Sequence, residues 1–128
     1  MKVLLDTHTF IWWDGNSAQL SQSALAFCTD PQNTVFLSVV SAWEIQIKRQ
    51  LGKLQLRLPL ATVIESQQRQ NSIEVLPVML PHVLALDALP PHHKDPFDRL
   101  LIAQAIAEGA ALISNDPAFS KYGIDVRW

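Results

Sequence analysis

Lys2-Val3-Leu4-Leu5-Asp6-Thr7 decides how this chain is read. Val3, Leu4 and Leu5 form an unbroken apolar run, and an acid follows at once. A short run without polar alternation suits a strand covered on both faces, as in a parallel sheet. In open α/β sheets the chemistry sits just beyond the carboxyl ends of the strands. Asp6 falls at such an end, where a buried backbone can aim a carboxylate into a crevice. The plainer reading is that Asp6 caps the helix after it, since Asp is a favoured N-cap. Acids in equivalent places further along the chain argue for more than capping.

Working outward from this strand, the spacing predicts a short helix over Phe10 to Trp13, broken by Asp14-Gly15-Asn16-Ser17. A second helix, Gln22 to Cys28, is capped by Ser21 and ended by Asp30-Pro31. Val35 to Ser38 reads as the next strand and runs straight into a helix. There Val40, Trp43, Ile47 and Leu51 recur at helical spacing, and Gly52 stops it. Pro59 suits the first position of a helix to Gln70. Ile73 to Leu76 is a third strand, and Pro81 opens a helix to Leu86. Ala88 to Lys94, with two prolines and two histidines, is a loop. Asp95 to Glu108 is the longest helix and Gly109 closes it. Ala111 to Ile113 is a fourth strand, and Ile124 to Val126 finishes the chain as a fifth. Short apolar strands alternating with helices predict a three-layer α/β/α domain with a mainly parallel sheet of four to five strands.

The 128 residues fit one domain, residues 1–128, with no repeat or linker. Apolar content of 48% against 17% charged places the chain among globular proteins. No apolar run is long enough to span a bilayer, and Asp6 interrupts the N-terminal run too early for a secretion signal. Cys28 is the single cysteine, so an internal disulfide and a C-x-x-C zinc knuckle are both excluded, and a reducing cytoplasm is the expected setting. The net charge of −2 lacks the basic excess of a general nucleic-acid coat protein. It leaves a polyanionic substrate open if divalent cations bridge protein and substrate.

Parallel strands share one carboxyl edge, and three acids belong to it. Asp6 ends the first strand, Glu44 lies about two turns into the helix after the second, and Asp116 lies just past the fourth. A fourth contribution is His93-Lys94-Asp95-Pro96-Phe97-Asp98-Arg99. Asp95 before Pro96 has the form of an N-cap, and Asp98 falls on the first turn, where a carboxylate also favours the helix dipole. Spacing puts Asp98 on one face with Ile102, toward the sheet edge. Several carboxylates gathered together repel unless cations neutralise them. Oxygen ligands with few nitrogens suit Mg²⁺ or Mn²⁺ rather than zinc. Such ions polarise a phosphoryl oxygen and lower the pKa of bound water. Convergent acids here therefore point to metal-assisted phosphodiester hydrolysis.

Asp6-Thr7, Ser41-Ala42-Trp43-Glu44-Ile45 with Lys48, Asp95-Pro96-Phe97-Asp98-Arg99-Leu100-Leu101-Ile102-Ala103-Gln104-Ala105 and Ser114-Asn115-Asp116-Pro117-Ala118-Phe119 together resemble a PIN domain. More narrowly, they resemble the VapC-type toxins of bacterial toxin–antitoxin pairs. The match runs along essentially the whole chain in order. The resemblance implies a Mg²⁺- or Mn²⁺-dependent ribonuclease, a homodimer, and inhibition by a cognate VapB-type antitoxin. Asp6, Glu44, Asp98 and Asp116 match the family's acidic quartet and are the expected metal ligands. Asp95 matches an additional acid of the subgroup, and Ser114 a hydroxyl beside the last acid. The alternative expectation is a PIN-like RNA- or protein-binding module without turnover. A haloacid-dehalogenase-type phosphatase would want an Asp two positions after Asp6, where His8 stands.

Lys48, Arg49, Lys53 and Arg57 gather four of the ten basic side chains into one stretch. Lys48, Arg49 and Lys53, with Arg99 beside Asp98, are the candidates for RNA phosphates; a solvated helix face or an acidic antitoxin tail are the competing uses. His92-His93-Lys94 fails the phospholipase-D spacing, because Arg99 occupies the position that needs Asp; loop histidines beside prolines read as solvated, with contact to RNA or a metal as the alternative for His92 and His93. Trp12, Trp13 and Trp43 read as core or interface.

Overall fold

The computed structural model describes all residues, Met1–Trp128. Five parallel strands form one sheet in the order β3-β2-β1-β4-β5, with β1 Lys2–Leu5, β2 Thr34–Ser38, β3 Glu74–Leu76, β4 Ala111–Ile113 and β5 Val126–Arg127. The expected sheet is thus wholly parallel. β1 is its centre, with Leu5 in register with Leu37 on one side and Ile113 on the other. Val3, Leu4 and Leu5 are fully buried, as the unbroken apolar run requires.

Side chains alternate across the sheet. Val3, Leu5, Leu37 and Ile113 pack on one face with Phe10, Ala24, Cys28, Leu60 and Val63. These come from α1 (Thr7–Gly15), α2 (Gln22–Thr29) and α4 (Leu60–Asn71). Leu4, Phe36 and Leu112 pack on the other face with Leu101, Ile102 and Ala105 of α6 (Pro96–Glu108), and with Phe119. The two apolar clusters make the three layers. α3 (Val39–Gln50) gives Ile45 to one cluster and Val40 to the other.

Several boundaries move for identifiable reasons. α1 begins at Thr7 rather than Phe10, because the Asp6 side chain accepts from the Thr9 N–H and starts the helix directly at the strand end. Pro59 is the N-cap of α4 and not its first helical residue. The Pro81 helix is α5 (Leu80–Leu84), and it tightens into a 3-10 turn over Ala85–Ala88. The last strand is Val126–Arg127, two residues later than its expected start. Gly109 closes α6 at φ +62°, the left-handed conformation that a helix stop favours.

The apolar stripe expected on α3 is not its buried stripe. Trp43 and Leu51 are exposed, whereas Val40, Ser41, Glu44 and Ile45 are buried. Trp43 lies edge-on to Phe97 at 5.0 Å and is not core. Ser38 is the N-cap of α3. Its hydroxyl accepts from the Val40 N–H and donates to Gln104 Oε1, and Gln104 Nε2 donates to the Pro77 carbonyl. This buried polar tie joins the start of α3 to α6. No helix is long and apolar enough to cross a membrane.

Candidate active site

The carboxyl edge of the sheet holds the chemistry. The Asp6 N–H donates to the Ile113 carbonyl, so β1–β4 pairing continues through the acid itself. Asp6 Oδ1 accepts from the Thr9 N–H at 2.8 Å and Oδ2 from the Ser114 hydroxyl. Ser114, buried directly after β4, also accepts the Asp116 N–H at 3.1 Å. One hydroxyl therefore fixes the first acid and the start of the last acid's loop.

Glu44 is buried on α3, with both oxygens engaged: Oε1 accepts from Thr7 Oγ1 at 2.6 Å and Oε2 from Lys48 Nζ at 2.5 Å. Lys48 stands one turn on, at the spacing that lets an acid and a base meet on a helix. The hydrogen bond to Glu44 is the main cause that raises the Lys48 pKa above 10.5.

Asp95 caps α6, with Oδ1 accepting from the Phe97 and Asp98 N–H groups at 2.9 and 3.1 Å. Asp116 caps the 3-10 helix Pro117–Tyr122 through Oδ1 and the Ala118 N–H. The Asp98 side chain accepts no hydrogen bond from the chain; the one basic nitrogen within ion-pair range is His93 Nε2, 3.4 Å from Oδ2.

These residues share one cleft of ≈ 150 Å³, lined by Asp6, Thr7, Glu44, Lys48, Asp95, Asp98 and Asp116, with His8 and Phe119 at its walls. Five carboxylates face a single ammonium. The consequence falls on Asp98: burial first, then the charges of Asp95, Glu44, Asp116 and Asp6, push its pKa up from 3.8 to about 7. No three of the acids stand close enough to form a coordination shell as they are. The donor set nonetheless fits Mg²⁺ or Mn²⁺: it is oxygen-only, mutually repulsive, and Asp95, Asp98 and Asp116 each keep an oxygen free of intrachain bonds.

The PIN domain family model matches residues 3–125. The chain belongs to the PIN domain family. This PIN domain is 26% identical over 115 residues to Ribonuclease VapC22 of Mycobacterium tuberculosis, covering 89% of the chain and 86% of the relative. Its fold is similar to that in the structure of VapBC2 from Rickettsia felis bound to a DNA fragment from their promoter. The TM-score is 0.74 at 16% identity, over 99% of this chain and 98% of the other. It is also similar to VapBC-5 of Mycobacterium tuberculosis, described as a member of the VapBC family of toxin–antitoxin systems. There the TM-score is 0.59 at 19% identity, over 98% and 95%.

All six expected site residues, Asp6, Glu44, Asp95, Asp98, Ser114 and Asp116, come together in this PIN domain. Five line the cleft and Ser114 stands behind Asp6. Of the basic residues only Lys48 joins them. Lys48 is in the cleft, but Arg49 borders a separate groove with Gln46, Gln50 and Leu54, and Lys53 is exposed outside the cleft. The Arg99 guanidinium is committed to the carbonyls of Pro90 at 2.9 Å and Leu89 at 3.4 Å, which makes it a brace for the loop before α6.

Two residues carry more than the sequence suggested. Thr7 sits in the quoted opening motif, yet only the fold reveals that it holds Glu44, 37 residues away. His93 is not a solvated loop histidine: its Nδ1 lies 2.7 Å from the Tyr122 hydroxyl, and its ring meets Phe119 edge-on. Tyr122 lies 29 residues downstream and no local pattern pairs the two.

Proposed function

We propose that this PIN domain is a Mg²⁺- or Mn²⁺-dependent endoribonuclease of the VapC type. It hydrolyses RNA phosphodiester bonds in the cytoplasm, works as a homodimer, and is neutralised by a VapB-type antitoxin. The observation that carries the reading is the cleft in which five carboxylates share one lysine. The similarity to a relative named as a ribonuclease, and to chains from VapBC structures, supports it.

Asp98, Asp95 and Asp116 would hold the ion through their free oxygens, with Asp6 and Glu44 completing the set. When bound, the ion polarises a phosphoryl oxygen and lowers the pKa of a water molecule. The chain's own contribution is order. Ser114 and the Thr9 N–H hold Asp6 in one orientation, Thr7 and Lys48 hold Glu44, and backbone N–H groups hold Asp95 and Asp116. Acids fixed in this way reorganise little as charge develops, the main source of electrostatic catalysis. Lys48 is the one cation in the cleft able to meet an RNA phosphate.

Purified chain should cleave structured RNA with Mg²⁺ or Mn²⁺ and lose that activity in EDTA. Asp6→Asn and Asp98→Asn should each abolish cleavage while the far-ultraviolet circular dichroism stays unchanged. Cleavage undiminished by EDTA or by both substitutions refutes the mechanism. One observation favours the second reading, a binding module without turnover: Asp6, Asp95 and Asp116 all cap helices. That reading predicts RNA or protein binding that is indifferent to Mn²⁺.

A further inference from the structure

The segment before α6 carries a hydrogen-bond chain that ends on Asp98. The Tyr122 hydroxyl oxygen accepts from the His93 backbone N–H at 3.2 Å and from Arg99 Nη1 at 3.4 Å. A phenol oxygen accepts and also carries one proton to donate. With two N–H donors already directed at it, the proton is left for the third neighbour, His93 Nδ1 at 2.7 Å. Nδ1 is then an acceptor, and the ring hydrogen of the neutral imidazole resides on Nε2. That atom is buried and makes no hydrogen bond. The carboxylate oxygen nearest to it is Asp98 Oδ2 at 3.4 Å. Ring packing against Phe119 and Tyr122 restricts the imidazole's freedom to turn elsewhere.

A buried donor without an acceptor, beside the one cleft acid that accepts no hydrogen bond, is an incomplete pair. Hydrogen bonds of this kind are often long in an empty site and tighten when it is loaded. Carboxylates and imidazoles that bind ions are commonly steadied by a partner on their far side.

We propose that His93 is a positioning residue for Asp98. Tyr122 sets its tautomer, and Nε2–H engages Oδ2, so that Oδ1 is left in a defined direction for a divalent cation. The proposal rests on the metal-dependent reading of the cleft, and Arg99 belongs to it as a brace of the Tyr122 hydroxyl.

The test begins with ¹⁵N-correlated NMR of the full chain without metal. The proposal expects Nδ1 bare and Nε2 protonated, and a shift of the Nε2–H resonance in Asp98→Asn. A proton on Nδ1, or an Nε2–H resonance indifferent to Asp98→Asn, overturns it with or without nuclease activity. The second measurement is Mn²⁺ affinity by calorimetry. A glutamine amide reaches about as far as Nε2, whereas an asparagine amide reaches only as far as Nδ1. His93→Gln should therefore stay within about 3-fold of the parent, while His93→Asn and His93→Ala weaken Mn²⁺ binding by roughly 10-fold, the low end for a ligand's partner. Equal affinity in all three variants overturns the proposal. Tyr122→Phe keeps the ring, so it tests the tautomer without opening a cavity; its expected result is a mixed tautomer with a lower kcat and an unchanged KM for RNA. An unaltered tautomer in Tyr122→Phe refutes the role given to the phenol. Mn²⁺ binding in this order without RNA cleavage would sink the nuclease reading and leave the positioning role standing.

Discussion

Replacing Asp98 by Asn should stabilise the metal-free protein at neutral and alkaline pH, although the residue lies at the centre of the cleft. Asp98 moves from 3.8 in its ordinary state to about 7 when folded, because burial and four neighbouring carboxylates disfavour its charge. Its folded pKa lies above its unfolded one. Between the two values the folded chain keeps a proton that the unfolded chain has released, so stability falls as pH rises. The penalty is absent below 3.8 and complete above about 7. At 1.36 kcal/mol per pH unit its ceiling is about 4 kcal/mol. Asn keeps the shape but loses the favourable helix-dipole interaction of a first-turn carboxylate, worth about 0.3–1 kcal/mol. The Asp98 side chain is also 21% exposed, which lets water relieve part of the repulsion. A net gain of about 2–3 kcal/mol for Asp98→Asn at about pH 8 is therefore expected.

The assay is urea denaturation of both proteins in EDTA, from about pH 4 to about pH 8.5, with the difference in unfolding free energy plotted against pH. Groups remote from the cleft cancel in this difference, so what is left is the titration of the coupled acids. The gap should be near zero at the acid end, open between 4 and 7, and then level off. Saturating Mg²⁺ should reverse the order, since an ion at about a thousand times its Kd stabilises the parent by about 4.1 kcal/mol, and the Asn variant should gain far less. An Asn variant no more stable than the parent at pH 8, or a gap that does not change with pH, would show that the acids do not burden one another, and the case for a cation-demanding cleft would fail.

Three further outcomes follow from the same geometry. Lys48→Met leaves Glu44 buried with only Thr7 as partner, and should cost about 1–3 kcal/mol without metal, less than a fully buried pair because Lys48 is 37% exposed; since the Lys48 pKa is raised, the difference should hold at neutral pH and fade only as pH climbs past 10.5. Ser114→Ala removes the hydroxyl that Asp6 and the Asp116 N–H share, and should cost about 1.5–3 kcal/mol in urea melts together with most RNA cleavage. The Cys28 thiol, buried and pushed up to about 12, should resist a disulfide reagent at pH 8 until urea unfolds the chain. Labelling at the rate of a free thiol would contradict its packing beneath the sheet.

How much of this was legible in the sequence depended on the range of the signal. β1 and the acid after it were plain, because an unbroken apolar run and a parallel sheet's edge are both written in consecutive residues. The caps at Ser21 and Asp95, and the stop at Gly109, are likewise local. α3 was legible as a helix but not in its facing. Its apolar residues suggested a stripe through Trp43 and Leu51, whereas the buried stripe carries Ser41 and Glu44, with Glu44 bonded to Thr7, 37 residues away. Thr7–Glu44 and Tyr122–His93 escaped notice for the same reason: they are hydrogen bonds between side chains that only the tertiary fold brings together.

Capping and catalysis are usually set against each other as explanations of an acid at a helix start, and here the geometry makes them one explanation. A capping carboxylate spends one oxygen on backbone N–H groups and keeps the other. Asp95 and Asp116 do this through Oδ1, which orients the unspent oxygen without any further residue. Asp6 uses Oδ1 in the same way, and its Oδ2 accepts from the Ser114 hydroxyl, so this buried acid is held at both oxygens. Asp98 alone falls past the cap, on the helix rather than before it, and no backbone group steadies it. It is also the acid that bears the largest penalty for its charge. The residue with the least intrinsic support thus has the most to gain from a cation, and His93 stands where the missing support would come from. If starting the helix were the whole purpose of these acids, the small helix-dipole gain at Asp98 would not offset the penalty on its charge, and an Asn variant that is more stable but silent toward Mn²⁺ would show that difference directly.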